Sequence, residues 1–424
     1  MLQHLRAHGW NVSVAFMGYR YTQDNAALAA LSMPVSFSLG SAAEPGPSTP
    51  AAKANPAAGR SLRQRVKGAR DILRASLTQW ERPFPEGGLG GILREIGLRA
   101  DDRRVSDFRD PRHVDCVQGR IKQDHPDWVL VEYFFWGWLR AAVQPTSRPG
   151  LRWAVDTHDI QYERQQRFHA LGEAHGVDIT RKEESRWLNE FDLVIAIHAR
   201  DAAHLQTMVP RRTVVCAMHP QDAIAGLPTT TRSSGLAVGF LGSGMTPNTL
   251  AARELIEKIW PVVLTSGVAG VRLLVAGSVC EQLRGSALPP NVLLLGVVSN
   301  LDAFYDDVDI LACPIRIGGG LKIKNVEALC RGKALVTTAV GAEGMEEGAR
   351  TAYLLAEDPT EFSTTIAQLL DDHQLRQKVS TAALKYAQSH FEPAVTFAAL
   401  MAALDSPVQP SSDFHPFTSP YDAS

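Results

Sequence analysis

Short apolar runs alternate along this chain with stretches whose apolar residues recur at helical spacing. DWVLVEYFF (from Asp127), LRWAVDTHD (from Leu151) and FDLVIAIHA (from Phe191) read as strands, and RKEESRWLNE between them as a helix. TVVCAMHP (from Thr213) closes the first half, and Pro220 to Ser234 reads as a polar connector. The second half repeats the pattern more cleanly. Strands are predicted at 235–242, 271–279, 291–298, 309–315, 334–341 and 351–358. NTLAARELIEKIWPVVL, LDAFYDDV and KNVEALCRG read as helices between them, and two more helices follow up to about Leu404. Strands alternating with helices predict parallel sheets covered on both faces, so the fold class is α/β. Two Rossmann-like domains are expected, at 1–220 and 233–390, facing a cleft of the kind such sheets use for ligands. Residues 391–404 are expected to form a C-terminal helix packing back on the first domain, and 405–424 a disordered tail.

The start of the chain departs from this pattern. MLQHLRAHGW reads as the end of an amphipathic helix stopped at Gly9, and NVSVAFMG as the strand after it. Doubly wound domains usually open on a strand, so the first strand of the N-terminal domain, with its loop, is expected to be missing. A parallel sheet lacking a central strand should be poorly soluble or inactive, and an upstream extension should restore it. Residues 39–59, LGSAAEPGPSTPAAKANPAAG, are too poor in large apolar side chains to order themselves and read as a flexible insert. The segment 60–82 then places Leu62, Val66, Ala69, Leu73 and Leu77 at helical spacing. Arg60, Arg63, Arg65, Lys67, Arg70 and Arg74 against Asp71 make that helix basic. It is either a solvated face or, through 60–77, a peripheral contact with anionic lipid.

Composition narrows the function classes. With 43 Lys+Arg against 45 Asp+Glu, the net charge of −2 argues against a nucleic-acid partner held by counterion release. No apolar run reaches the roughly 18 residues of a spanning helix, and the N-terminus is too polar for a signal peptide. The 5 cysteines include no CxxC pair, so neither a disulfide framework nor a zinc site is suggested. A cytoplasmic protein is expected, possible lipid contact aside.

The densest chemical signal runs from Arg316 to Glu327, through Gly318, Gly319, Gly320, Lys322 and Lys324, between a strand and a helix. A glycine run there lets backbone N–H groups approach a phosphate at the helix's positive end, and the three cations add fixed charge. The alternative is a tight turn with solvated charges. Gly242 and Ser243 form a second such turn after the strand at 235–242, without the GxGxxG or Walker spacing.

FLGSGMTPN, LLVAGS and the stretch from VLLLGVVSN through DILACPIRIGGGLKIKNVEALCRGKALVTTAVGAEGM closely resemble the nucleotide-sugar half of family 4 (group 1) glycosyltransferases. The likeness is best from about Gly235 to Phe391 and looser from Asp127 to Pro220. It implies the GT-B fold, with an acceptor-side domain at 1–220 and a nucleotide-sugar-binding domain at 233–390. Glu327 matches the second glutamate of the family's E-x7-E motif, which hydrogen-bonds the donor ribose, while the first falls at Gly319. In the subgroup with a glycine turn at that place an Arg/Lys pair neutralises the diphosphate leaving group, and Lys322 is the best candidate for it, with Arg316 or Lys324 beside it. Ser243 stands where many members carry arginine. Gly296, Val297 and Val298 match the loop that cradles the base, and His158 in Asp156-Thr157-His158-Asp159 matches a histidine facing the transferred sugar. Read without the family, His158 is a strand-end cap. Glu132 is a weaker cleft candidate, and His198 is expected to be structural.

The resemblance thus implies a retaining, metal-independent hexosyltransferase with no cofactor. It would move a sugar from a nucleoside diphosphate donor to a cell-envelope glycan or lipid-linked acceptor. Departure of the diphosphate develops negative charge, which fixed cations and helix N-terminal amides stabilise without a metal. A truncated or degenerate nucleotide-sugar binder without activity is the alternative.

Overall fold

The computed structural model describes residues 1, 5, 7–12, 14–17, 35–38, 111–143, 150–227, 235–289 and 291–406. The insert at 39–59, the basic segment at 60–82 with its lipid contact through 60–77, and the tail from 407 lie outside the described residues.

The first turn ends as its sequence suggests. Trp10 N–H donates to the Leu5 carbonyl across Gly9, whose φ is +86°, the left-handed stop of a helix end. Strands β1 (Val14–Met17) and β2 (Val35–Ser38) pair in parallel as a separate two-stranded sheet. The helix α1 (Pro111–Asp124) lies against both. The strand at β2 was not anticipated, because VSFS is short and runs straight into the Pro-rich insert. The expectation of a missing central strand turns on segments around β1 and β2 that lie outside the described residues.

The first half is built on a parallel sheet of β3 (Trp128–Glu132), β4 (Arg152–Asp156), β5 (Leu193–Ala196) and β6 (Thr213–Cys216), in that spatial order. Alternation sends successive side chains to opposite faces. Trp153, Val155, Val194 and Ala196 join one core cluster with Phe134, Trp187, Phe191 and Leu205. Ala154, Leu193 and Ile195 join the other with Phe397, Leu400 and Leu404. Helices α2 (Trp138–Val143), α3 (Gln161–Ala170), α4 (Arg181–Leu188) and α5 (Ala199–Met208) connect these strands.

The second half is a six-stranded parallel sheet of β7 (Ala237–Leu241), β8 (Arg272–Ala276), β9 (Val292–Gly296), β10 (Ile310–Cys313), β11 (Ala334–Thr337) and β12 (Leu354–Leu355). Their spatial order is β12-β11-β10-β7-β8-β9, the doubly wound arrangement. Its order reverses between β7 and β10, so the loops leaving those two strands, Gly242–Met245 and Pro314–Lys322, lie side by side where such sheets bind ligands. The helix expected over NTLAARELIEKIWPVVL divides into α6 (Thr246–Glu254), a π turn (Leu255–Ile259) and α7 (Trp260–Leu264). Pro261 has no N–H to donate within a helix, and the widened turn ends just before it. Further on come α8 (Leu301–Asp306), α9 (Ile323–Cys330), α10 (Pro359–Asp371) and α11 (His373–His390).

After a short turn at Pro393–Thr396, α12 (Ala398–Asp405) lies against the first half's sheet. Phe397, Leu400 and Leu404 pack on Ala154 and Ile195, and Trp128 Nε1 donates to the Leu404 carbonyl at 3.1 Å. Thus the last described helix covers one face of the first sheet.

Helix α3 starts at Ile160, which has no side chain able to cap it. Instead Glu184 of α4 accepts the N–H groups of Gln161 at 2.9 Å and Tyr162 at 2.8 Å. Those two bonds favour the carboxylate, but burial outweighs them and pushes the Glu184 carboxyl up from 4.5 to about 8. Burial likewise raises Asp156 to about 6 and Asp201 to about 7, from 3.8. Each folded value lies above the unfolded one, so the folded chain holds these protons more tightly. Their stabilising contribution is fully present below about pH 4 and is lost as pH rises through about 6 to 8. The urea midpoint should therefore fall between pH 6 and pH 8.5, and Glu184→Gln should flatten that fall. An identical pH slope in the two proteins would contradict the assignment.

Candidate functional site

The glycine turn of the second half touches the strand end of the first. Gly320 has φ +66°, and a Cβ there would stand 2.6 Å from the His158 carbonyl oxygen and 3.3 Å from Asp159 Cβ. At Gly319 a Cβ would meet Asp159 Cβ at 3.3 Å. These glycines therefore allow two backbones to approach across the cleft, a role the sequence pattern did not suggest. The carbonyls of the turn face cations: Lys322 Nζ donates to Gly319 at 3.2 Å and Gly320 at 2.7 Å, and Arg167 of α3 donates to Gly318 at 2.8 Å.

Both cations also reach Glu343, in the loop after β11. Lys322 Nζ lies 3.3 Å from one carboxylate oxygen and Arg167 2.5 Å from the other, with Arg200 at 4.0 Å. The Glu343 side chain is 8% exposed and that of Lys322 10%, so this pair is nearly dry, whereas Arg167 and Arg200 reach solvent. Burial draws the Lys322 ammonium below its ordinary value, against the pull of Glu343. Lys322 also occupies the N-cap position of α9, and no side chain caps that helix end.

On the first half's side, register places Glu132 directly beside Asp156 at the ends of β3 and β4. His158 follows at φ +59°, and Tyr133 at φ +68°, both in the left-handed region that non-glycine residues seldom adopt. The His158 ring is hydrogen-bonded through Nε2 to Glu132, lies 3.9 Å from Asp156 Oδ1 through Nδ1, and sits 4.6 Å from the Tyr133 ring. Burial works against the charged ring, but the bond to Glu132 and the charges of Asp156, Glu132 and Asp159 prevail and raise its pKa. The two carboxylates address opposite ring nitrogens, which suits a held and protonated imidazole better than a shared metal ion.

The first-turn candidates are laced together. Lys324 Nζ is bonded to Asn248 Oδ1, and Asn248 Nδ2 donates to Ser243 Oγ at 2.9 Å. Burial lowers the Lys324 pKa, and its ammonium lies 4.9 Å from the Phe240 ring centroid. Gly242 lies under Gly277, where a Cβ would fall 2.1 Å from the Gly242 carbonyl, so only glycine fits at 277. Gly296 ends β9 and bonds to the Gly277 N–H at 2.7 Å, Val297 is 74% exposed, and Val298 packs on the core. Glu327 accepts from the buried Tyr305 hydroxyl at 2.9 Å. Arg316 is placed elsewhere: its guanidinium binds Glu254 of α6 at 2.7–3.1 Å and the Glu357 carbonyl, away from Lys322's partners. His198 caps α5 by accepting from Asp201 N–H at 3.2 Å, a structural task.

Residues 235–372 match the profile of the family described as glycosyl transferases group 1. The match covers about a third of the chain, all of it in the second half. An uncharacterized 44.6 kDa protein in the cps region of Klebsiella pneumoniae is 23% identical over 173 residues, 38% of this chain and 44% of that protein. The chain thus matches under half the length of that curated relative. Among solved structures, Anabaena HepE with UDP and glucose aligns at a TM-score of 0.57 and 13% identity, over 93% of this chain and 99% of that one. Sucrose-phosphate synthase from Thermosynechococcus elongatus aligns at 0.57 and 14% identity, over 92% and 99%. TarM of S. aureus aligns at 0.52 and 11% identity, over 69% of this chain and 58% of its own. The architecture is GT-B. Among the described residues no helix is long and apolar enough to cross a membrane.

Arg167, Glu343 and Tyr305 were missed as site residues. Arg167 sits in QYERQQRFHA, which reads as a solvated helix, and Glu343 stood out only as part of GAEG. Tyr305 reads as the apolar side of a short helix. Nothing local in the sequence says that these three meet the glycine turn or Glu327.

Proposed function

We propose that this chain is a retaining glycosyltransferase that moves a sugar from a nucleoside diphosphate donor to a cell-envelope glycan or lipid-linked acceptor. The reading rests on one observation: the His158–Asp159 backbone of the first half and the Gly319–Gly320 turn of the second, whose carbonyls hold Lys322, meet across the cleft. The diphosphate leaves toward Lys322 and the uncapped start of α9, where charge that develops on it is stabilised without a metal. The transferred sugar lies against His158. Glu327, with one oxygen held by Tyr305, accepts from the ribose, and Gly242, Ser243, Gly296, Val297 and Val298 frame the nucleoside. HepE has been solved with UDP and with UDP-glucose, which makes uridine donors the first to try.

Release of nucleoside diphosphate from a panel of nucleotide sugars, with and without lipid-linked and glycan acceptors, tests this. Acceptor-stimulated release with at least one donor is expected; no release from any donor by a folded protein that binds the bare diphosphate would leave the binder. One observation favours that second reading: Gly319 stands where the resemblance puts the first glutamate.

Glu327→Ala should weaken nucleoside diphosphate binding about ten-fold, the worth of a hydrogen bond to a charged group, and leave inorganic pyrophosphate binding alone. Tyr305→Phe, which frees the same carboxylate, should cost less. Calorimetric titration with both ligands checks this, and equal losses for both would misplace the ribose.

A further inference from the structure

We propose that Arg167 supplies the second cation of the donor diphosphate site from the opposite half of the molecule, with Glu343 as the resident anion that the diphosphate displaces. The inference rests on the donor reading above and adds a residue to it.

The other candidate cations are committed or absent. Position 243 carries a serine, Arg316 is bound by both oxygens of Glu254, and Lys324 is bonded to Asn248 beside Phe240. A diphosphate leaving from Lys322 alone would meet a single, buried ammonium. Arg167 shares Lys322's partners most closely, with Arg200 farther off on the same carboxylate. Arg167 and Lys322 hold opposite oxygens of the Glu343 carboxylate, at 2.5 Å and 3.3 Å. They also donate to successive carbonyls of one turn, Arg167 to Gly318 and Lys322 to Gly319 and Gly320. Thus their spacing is that of two donors on a small bridging anion, and the arrangement spans both halves of the cleft.

Three further acids face the pair. Glu163 lies 3.7 Å from Arg167, and Asp159 and Asp201 act on the cluster through charge. Burial raises the pKa of both Asp201 and Asp159, which favours their neutral forms. Arg200 adds a third, more exposed cation at 4.0 Å from Glu343. Glu343 offers one charge to these cations, whereas a diphosphate offers more than one and has enough oxygens to hold both donors. The exchange is therefore favourable in charge, and the flat fork of an arginine suits a phosphate pair.

The test separates this role from that of a mere clamp between halves. Arg167→Gln and Glu343→Gln both break the Arg167–Glu343 pair, so a purely structural role predicts losses of the same sign in both. Here they should move apart. With inorganic pyrophosphate and with the nucleoside diphosphate that the unaltered protein binds most tightly, Arg167→Gln should weaken binding about ten-fold. Glu343→Gln, which keeps both cations and removes the competing anion, should tighten it. Affinity for the matching nucleoside, which has no phosphate, should stay within about two-fold in both variants, and Arg167→Lys, which keeps the charge without the fork, should recover part of the loss. Diphosphate affinity unchanged in Arg167→Gln, or equally weakened in both variants, overturns the inference while leaving the donor reading in place. A folded, unaltered protein that binds no nucleoside diphosphate overturns both.

Discussion

His158→Ala is expected to lower sugar transfer by a hundred-fold or more, the usual worth of a positioned histidine beside a reacting centre. Donor affinity should change by only a few-fold. The expectation follows from how much of the local structure serves this ring. Two residues in left-handed conformations, Tyr133 and His158, turn the chain at the ends of β3 and β4, and such strain persists where the surroundings hold it. Glu132 and Asp156 then address the two ring nitrogens. With its pKa raised by those carboxylates against burial, the imidazole keeps its proton to a higher pH than a free histidine. Its contribution is present below the ordinary histidine range and lost as pH rises through the raised value. Glu132→Gln should therefore move the alkaline limb of the transfer profile to lower pH. Wild-type turnover in His158→Ala, or an unmoved limb in Glu132→Gln, would remove the histidine from the mechanism.

Gly320→Val should abolish transfer and destabilise the fold. A β-branched residue at φ +66° carries about 1–3 kcal/mol of backbone strain. Its Cβ also falls 2.6 Å from the His158 carbonyl, backbone that cannot turn aside, so the turn and the first half must separate. That separation carries Lys322 away from His158. Gly319→Ala is the control, because its Cβ meets side-chain rather than backbone atoms, Asp159 Cβ at 3.3 Å, and Asp159 Cγ and Arg164 Cβ at 3.6 Å. Its cost should be a fraction of the valine's. Thermal midpoints and turnover of the two variants, measured together, give the comparison; an active Gly320→Val protein would show that the halves need not touch there.

Much of the second half was legible because its strands are continuous apolar runs, the central ones buried on both faces, with turn residues between them. Ala237–Leu241, Arg272–Ala276 and Ile310–Cys313 all lie inside the expected strands, and their parallel pairing follows from that alternation. Lys322, Glu327 and the glycine turn stand out as candidates for a similar reason: they are adjacent in sequence at one strand–helix junction. What escaped detection depends on distance. Arg167 and Glu343 are 176 residues apart and meet only when the two halves close. Arg316 looked like a phosphate ligand because sequence shows its charge and not its partner Glu254, 62 residues away. The split of the helix after β7 was signalled by Pro261, but a proline near a helix end reads equally well as a simple start of a new turn.

The most direct test of the central claim is the stereochemistry of the product. An α-linked nucleotide sugar is turned over with a lipid-linked or glycan acceptor, and the anomeric proton coupling of the transferred sugar is read by NMR. An α-linked product formed without added divalent metal is expected. A β-linked product, or turnover only after metal is supplied, would contradict the central claim.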